Sequence, residues 1–333
     1  MNPLPLKYPE AADRVAPSPG RKGNRKLYVV TCISNPVMYR TRYDLYRKFA
    51  QYIEDSGATL YTCEMAFGDR PHEITESDYH RHVQVRSSSE LWHKENMLNL
   101  AIQQLPDDWE YVAWIDADVK FADDDWVNKT IEQLQHYQVV QMFSHAQDLG
   151  PRNEPMATHT GFVHDYYHGK SKFNPGGGYA EGHPGYAWAA TRKALDAVGG
   201  LLDWPLLGSG DRHMACALIG KADASLYKGV HPNYGKLLGQ WEKRAERSIK
   251  RNIGYLPGLL THYYHGSKAN RHYTSRWRIL VDNQFDPLTD LYKDTQGLWR
   301  LDEDRIKLRD DVRKYFRSRH EDDISEGNGK LLA

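Results

Sequence analysis

The 333-residue chain has no surplus of either charge: Lys and Arg total 44 and Asp and Glu total 44, a formal net charge of zero. A protein that coats a polyanion through an excess of cations is therefore excluded, and an ordinary enzyme of one large or two modest cores is the starting expectation. Cysteine is scarce. Only Cys32, Cys63 and Cys216 occur, two of them inside apolar runs, so no disulfide framework is expected and a reducing, cytoplasmic compartment is. Long apolar runs are missing: nothing approaches the roughly 18 residues of a membrane span. The opening "MNPLPLKYPEAADRVAPSPGRKGNRK" has no apolar core of an export signal. No internal repeat is visible. What the chain does have is aromatic surface, with 22 Tyr and 9 Trp, 12% aromatic in all, which suits stacking on flat ligands such as sugars or bases.

Residues 1–25, rich in Pro, Gly and Arg, read as a flexible arm, and the last residues, 324–333, as a disordered tail. Between them, "LYVVTCI" (27–33), "ATLYTCEMAF" (58–67), "HVQVR" (82–86) and "YVAWI" (111–115) have the apolar, β-branched and aromatic content of strands. Helices are expected near 39–56 and over 91–105, which Pro106 stops, and "DDDWVNKTIEQLQHY" opens another with an acidic cap. This order is that of a nucleotide-binding α/β domain. Residues 144–180, rich in Gly, His and Asn, read as long loops. An amphipathic helix at about 303–319 belongs to a C-terminal helical extension, 279–323, beyond a main domain of 26–278.

Three stretches carry chemistry. "YVAWIDADVKFADDDW" (111–126) places Asp116 and Asp118 at a strand end, where an open α/β sheet presents its ligands. Hard carboxylate oxygens held there suit a divalent cation bridging a diphosphate, although a solvated turn has the same pattern. "GGGYAEGHPGYAWAATRKALDAVGGLLDWPLLGSGDRHMACALIG" (176–220) joins a glycine-rich loop, a small apolar strand, a short helix ending at Gly199-Gly200, and a turn presenting Asp211. "PGLLTHYYHGSKANRHYTSRW" (257–277) sets His262 and His265 three apart among cations. In this order, over roughly residues 27–275, the motifs resemble the metal-dependent glycosyltransferases of the GT-A fold. From 176 to 220 the chain looks most like the stretch shared by beta-1,4-galactosyltransferases and polypeptide N-acetylgalactosaminyltransferases.

The resemblance implies an α/β fold of the nucleotide-diphospho-sugar transferase kind, with a Rossmann-like mixed sheet, and transfer of a sugar from a nucleotide-diphosphate donor to a hydroxyl. It implies that Asp118 ligates Mn²⁺ or Mg²⁺, with Asp116 nearer the ribose, and that His262 and His265 complete the metal shell; two imidazoles favour Mn²⁺ because they are softer ligands than carboxylate or water. Without the motif order, a packed or surface pair is the favoured reading of the same two histidines. Asp211 matches the general base of inverting members, though a helix cap is the other reading of its position. The family's Gly-Glu-Asp turn here reads Ser209-Gly210-Asp211, so an acidic neighbour that helps to hold the acceptor is missing.

Trp204 matches a tryptophan lining the sugar or acceptor pocket, or is an ordinary core residue. Gly176, Gly177 and Gly178 would let backbone approach the donor sugar. Lys94 and Asn96 open a helix expected to face base and ribose, and Lys268 and Arg271 are expected to neutralise the departing diphosphate. Residues 241–278 hold nine Lys and Arg that outnumber Glu242 and Glu246, marking an anionic ligand, either the donor diphosphate or an anionic acceptor as well. Two acceptor classes follow: a glycan, free or lipid-linked, or a hydroxymethylated base in DNA. A nucleotide-sugar pyrophosphorylase is the alternative enzyme, but "SNPVMYR" after the first strand is not its glycine-rich phosphate loop. A non-catalytic sugar- or nucleic-acid-binding module on the same fold is the third reading.

Overall fold

The computed structural model describes residues 26–173 and 181–323, so the expected N-terminal arm, the glycine loop at 176–178 and the tail from 324 lie outside the described residues. In chain order the elements are β1 (Leu27–Ser34), α1 (Arg40–Asp55), β2 (Thr59–Phe67), β3 (His82–Ser87), α2 (Lys94–Ile102), β4 (Tyr111–Ile115), β5 (Val119–Phe121) and α3 (Trp126–Leu134). There follow β6 (Val139–Gln141), β7 (His145–Leu149), β8 (Pro155–Thr160), α4 (Phe162–Tyr167), β9 (Ala187–Thr191), α5 (Arg192–Val198), α6 (Gly210–Leu218) and α7 (Pro232–Ser248). The last are β10 (Ile253–Tyr255), β11 (Leu259–His262), α8 (Trp277–Asp282), β12 (Leu291–Lys293), β13 (Trp299–Leu301) and α9 (Ile306–Arg317).

The architecture is the α/β one expected, built on a Rossmann-like mixed sheet. Seven strands run in the order β10-β6-β9-β4-β1-β2-β3. β1 pairs in parallel with both β2 and β4, and β9 is antiparallel to β4 and β6. The apolar strand runs are nearly continuous because both faces are covered. Tyr28, Val30, Val112, Trp114, Trp188 and Ala190 face one hydrophobic cluster with residues of α2, α5, α6 and α7. The alternate positions Leu27, Val29, Ala113, Ile115, Ala187 and Ala189 face the other, with Phe49 and Ile53 of α1 and Trp126, Ile131 and Leu134 of α3. Trp126 is fully buried and stacks on Phe121 at 4.7 Å between ring centres.

A second sheet, in the order β5-β11-β7-β8, stands beyond the end of β4. It corrects the reading of 144–180 as loops, since β7, β8 and α4 all fall there. The strands are short and their alternation is too brief to stand out in the sequence. The cap of α3 is also corrected: Asp125 occupies the cap position but makes no side-chain capping bond and accepts from the Asn128 side chain instead. The C-terminal extension contains α9 close to its expected span and, besides helix, the β12–β13 hairpin; α8 runs across the 278/279 boundary. Among the described residues no helix is long and apolar enough to cross a membrane.

Candidate metal and transfer site

Strand register assembles the core of the site. β11 pairs antiparallel with β5, placing His262 opposite Val119, and parallel with β7, placing His262 opposite Asp148. Asp118, just ahead of β5, is thereby brought to the end of β11, where its carbonyl accepts from the Tyr263 N–H at 2.8 Å. The Asp118 Oδ2 lies 2.9 Å from His265 Nε2 and 3.9 Å from His262 Nε2, and the two Nε2 atoms are 3.2 Å apart. Ligand atoms of Asp118, His262 and His265 all fall within 4.8 Å of one another.

Two further observations bear on whether these residues fit a cation. First, the buried Asp118 Oδ1 has no hydrogen-bond partner among the described residues. An ionised oxygen left so is costly, and a bound cation is the simplest partner for it. Burial alone would raise the Asp118 carboxyl, but His265, His262 and Arg271 outweigh it and hold the group well below the usual carboxylate range. Second, His262 Nδ1 lies 2.9 Å from Asp148 Oδ1. A carboxylate can only accept, so the proton sits on Nδ1 and the Nε2 lone pair faces Asp118 and His265, as a ligating imidazole requires. Asp148 is itself fixed by the Tyr186 hydroxyl at 3.0 Å, by His159 and by Lys268. Burial would raise it, yet hydrogen bonds from His159, His262 and Lys268 and the Lys268 charge keep it far below its ordinary value. Two imidazoles and one carboxylate are a donor set for a first-row divalent cation, softer than a set of carboxylates and water alone.

Next to this cluster, Asp116 pairs with Lys94 at the first turn of α2. Both belong to the same charged neighbourhood as Asp211, on the first turn of α6. Asp211 is not the helix cap. Ser209 holds that position, with φ 74° and no capping bond of its own, and Asp211 Oδ1 accepts from the adjacent Arg212 N–H at 2.7 Å. Arg212 is anchored by a buried ion pair with Glu181. Asp211 packs against Gly185, where a Cβ would stand only 2.8 Å from its Oδ2.

An acidic side chain from another element lies against the turn. A Cβ at Gly210 would lie 2.7 Å from the Glu95 carboxyl carbon, so glycine there leaves the room that Glu95 of α2 fills beside Asp211. Burial pushes the Glu95 carboxyl up to about 7, opposed by Lys94 and assisted by Asp211. Sequence reading passed over Glu95, and also Asp148, because neither has a local pattern that marks it.

The remaining expected site residues divide. Lys268 reaches the site through Asp148 and, at 3.0 Å, His159. Arg271 lies against His265, its terminal nitrogen 2.7 Å from Nε2. Gly177 and Gly178 lie outside the described residues. Asn96 is buried, and its amide donates to the Gly297 carbonyl and accepts from the Trp299 N–H, both at 3.0 Å, so it ties α2 to the β12–β13 hairpin. Trp204 is buried in the core, edge-on to Tyr234 with ring centres 4.5 Å apart. The basic stretch does not form one face: Arg276 is buried on Ser209 and Tyr315, Arg244 donates to the Val198 carbonyl, and Lys268 and Arg271 sit in the site.

No family model matches the sequence and no curated protein matches it. Among solved structures, the chain aligns with the catalytic domain of Drosophila beta1,4-galactosyltransferase 7 in complex with xylobiose, at 13% identity and a TM-score of 0.30, covering 60% of this chain and 62% of that one. A mutant of the same enzyme in complex with manganese, UDP-Gal and xylobiose gives 12% identity and a TM-score of 0.31, covering 60% and 63%. The chain thus spans less than two thirds of these domains. A protein from Desulfovibrio desulfuricans G20, proposed to be a nucleotide-diphospho-sugar transferase, matches at 12% identity and a TM-score of 0.30, over 87% of this chain and 97% of that one. Overlays this loose concern the fold alone and carry no functional inference.

Two outcomes follow from the site's polar groups. Asn96→Ala should cost about 1–3 kcal/mol, because two backbone groups of the hairpin lose their partner, while nucleotide affinity stays unchanged. Denaturation and calorimetry of the variant check this, and weakened donor binding at full stability would restore Asn96 to the site. For Glu95 the folded pKa, about 7, exceeds its ordinary 4.5. Its contribution to stability is therefore complete below pH 4.5 and is lost as pH rises through 7. Wild type should lose stability relative to Glu95→Gln between pH 4.5 and 8, and parallel urea curves across that range would contradict the burial argument.

Proposed function

We propose that this chain transfers a glycosyl group from a nucleotide-diphosphate sugar to a carbohydrate hydroxyl, with inversion and with a divalent cation. The observation that carries the reading is the convergence of Asp118, His262 and His265, with an orphaned Asp118 oxygen and an Asp148-oriented imidazole. These three residues would hold Mn²⁺, which when bound supplies positive charge against the donor diphosphate. The chain's own groups do the rest. Lys268 and Arg271 add cationic charge on the leaving-group side. Lys94 fixes Asp116 for the ribose. Asp211 takes the acceptor's hydroxyl proton as the acceptor oxygen bonds to the anomeric carbon, and the bond from that carbon to the diphosphate oxygen breaks with its electron pair leaving on the diphosphate. Because the basic stretch is divided among core, helix surface and site, a sugar hydroxyl is preferred over a DNA base as the acceptor.

Asp118→Ala and His265→Ala should abolish Mn²⁺-dependent binding of nucleotide sugars, beginning with UDP-galactose, while circular dichroism is preserved. Undiminished Mn²⁺-dependent affinity in calorimetry would place the cation elsewhere. Asp211→Asn keeps the shape of the side chain and disturbs no cap, so the melting temperature should barely move while transfer falls by roughly 10²–10⁴-fold. Product read by NMR from a panel of sugar and hydroxymethylated-DNA acceptors settles acceptor and stereochemistry together; an active Asn variant, or retained configuration, would overturn the assignment.

A further inference from the structure

The segment after α9 returns across the ligand cluster. Gly266, next to His265, has φ +90°, and a Cβ there would stand 2.9 Å from the Glu321 Cα and 3.1 Å from the His320 carbonyl oxygen, so glycine allows the two backbones to touch. The Glu321 side chain is only 1% exposed. It is clamped by Arg42 of α1, whose Nη2 lies 2.7 Å from Oε1, and by Arg319, whose Nε lies 2.8 Å from the same oxygen. Its Oε2 lies 3.7 Å from His265 Nδ1.

An imidazole that ligates through Nε2 keeps its proton on Nδ1, and that proton needs an acceptor. Arg271 approaches the same Nδ1 at 3.1 Å, but a guanidinium has no lone pair to offer. The carboxylate in range is Glu321. At 3.7 Å it stands in ion-pair range of His265, farther than the 2.9 Å hydrogen bond of Asp148 to His262, and it comes from the opposite end of the chain.

We propose that Glu321 is a positioning residue of the metal centre, its buried carboxylate favouring by charge a proton on Nδ1 of His265 so that the Nε2 lone pair faces Asp118, and that the C-terminal segment is thereby part of the centre. This rests on the reading of Asp118, His262 and His265 as cation ligands. Arg42 and Arg319 hold the carboxylate in place; Arg42 is held in turn by the Ser34 carbonyl at the end of β1.

The test measures metal binding without sugar, on the full chain. Glu321→Gln keeps shape but removes the charge, and Mn²⁺ affinity by electron paramagnetic resonance should fall by about 10–100-fold, with circular dichroism unchanged. Equal affinity in wild type and Glu321→Gln would overturn the positioning role and leave the ligand assignment standing. Failure of wild type to bind Mn²⁺ any better than Asp118→Ala would overturn both. Should the Gln variant misfold, wild type loaded with Co²⁺ gives the answer by NMR: two paramagnetically shifted, slowly exchanging imidazole N–H signals are expected, one for each carboxylate-backed histidine. A single such signal would overturn the role of Glu321.

Discussion

The constraint on which the site depends is the half-buried Asp118 carboxylate, whose Oδ1 is out of solvent and unmatched by any described residue. A strand end covered on both sides does not admit an ionised carboxylate unless its surroundings supply compensating charge. Here they do so through a second sheet whose register is fixed. His262 stands opposite both Val119 and Asp148, and a slip of one residue would turn the imidazole to the other face and separate all three groups. The mixed pairing of that sheet, antiparallel at β5 and parallel at β7, is what lets residues 114 positions apart in sequence hydrogen-bond directly. The sheet is small, and its geometric consequence is the ligand cluster.

Around this point the charges alternate. Lys94 faces Asp116, the two imidazoles face Asp118, Lys268 faces Asp148, Arg212 faces Glu181, and Arg42 and Arg319 face Glu321. The buried pairs among them, Arg212 with Glu181 and Arg319 with Glu321, contribute little net stability, because removing both ions from water costs about as much as their attraction returns. Breaking one is nevertheless severe, since the survivor is left buried and unpaired. Such a lattice is a poor way to hold a fold together and an effective way to fix side chains within fractions of an ångström, which a catalytic constellation requires.

What could be read in the sequence follows from how local each signal is. The strand carrying Asp116 and Asp118 was legible because an apolar run ends abruptly in acids, and the pair His262 and His265 because their spacing falls after two other motifs in order. Asp148 was not, because "HAQDL" is five residues long and its partners come from β8, β11 and the Tyr186 turn. Glu321 was hidden for the same reason at greater distance: its role exists only where the chain's end crosses Gly266. Asn96 and Glu95 were exchanged. They are adjacent on α2, and which of the two faces Asp211 depends on where the helix begins and on a hairpin some 200 residues later, neither of which local composition states. The Ser209-Gly210-Asp211 turn has one acid in sequence and a second, Glu95, beside it in space.

The same distance dependence explains how the proposed base and the metal ligands keep their separation. Gly185 admits the Asp211 carboxylate, and the next residue, Tyr186, donates its hydroxyl to Asp148 and stands with its ring centre 4.8 Å from that of His262. Two consecutive residues therefore touch both halves of the site. Tyr186 holds φ 74°, a conformation costly for a bulky side chain, and persists in it because His183 stacks on its ring at 3.9 Å and Asp148 binds its hydroxyl. Strain retained at that one residue, with packing on each side, fixes Asp211 relative to the Asp118, His262 and His265 cluster. The in-line displacement proposed above would demand that its reacting groups be placed before the reaction begins, and the residues that touch both the Asp211 carboxylate and the histidine cluster lie at the entrance to β9.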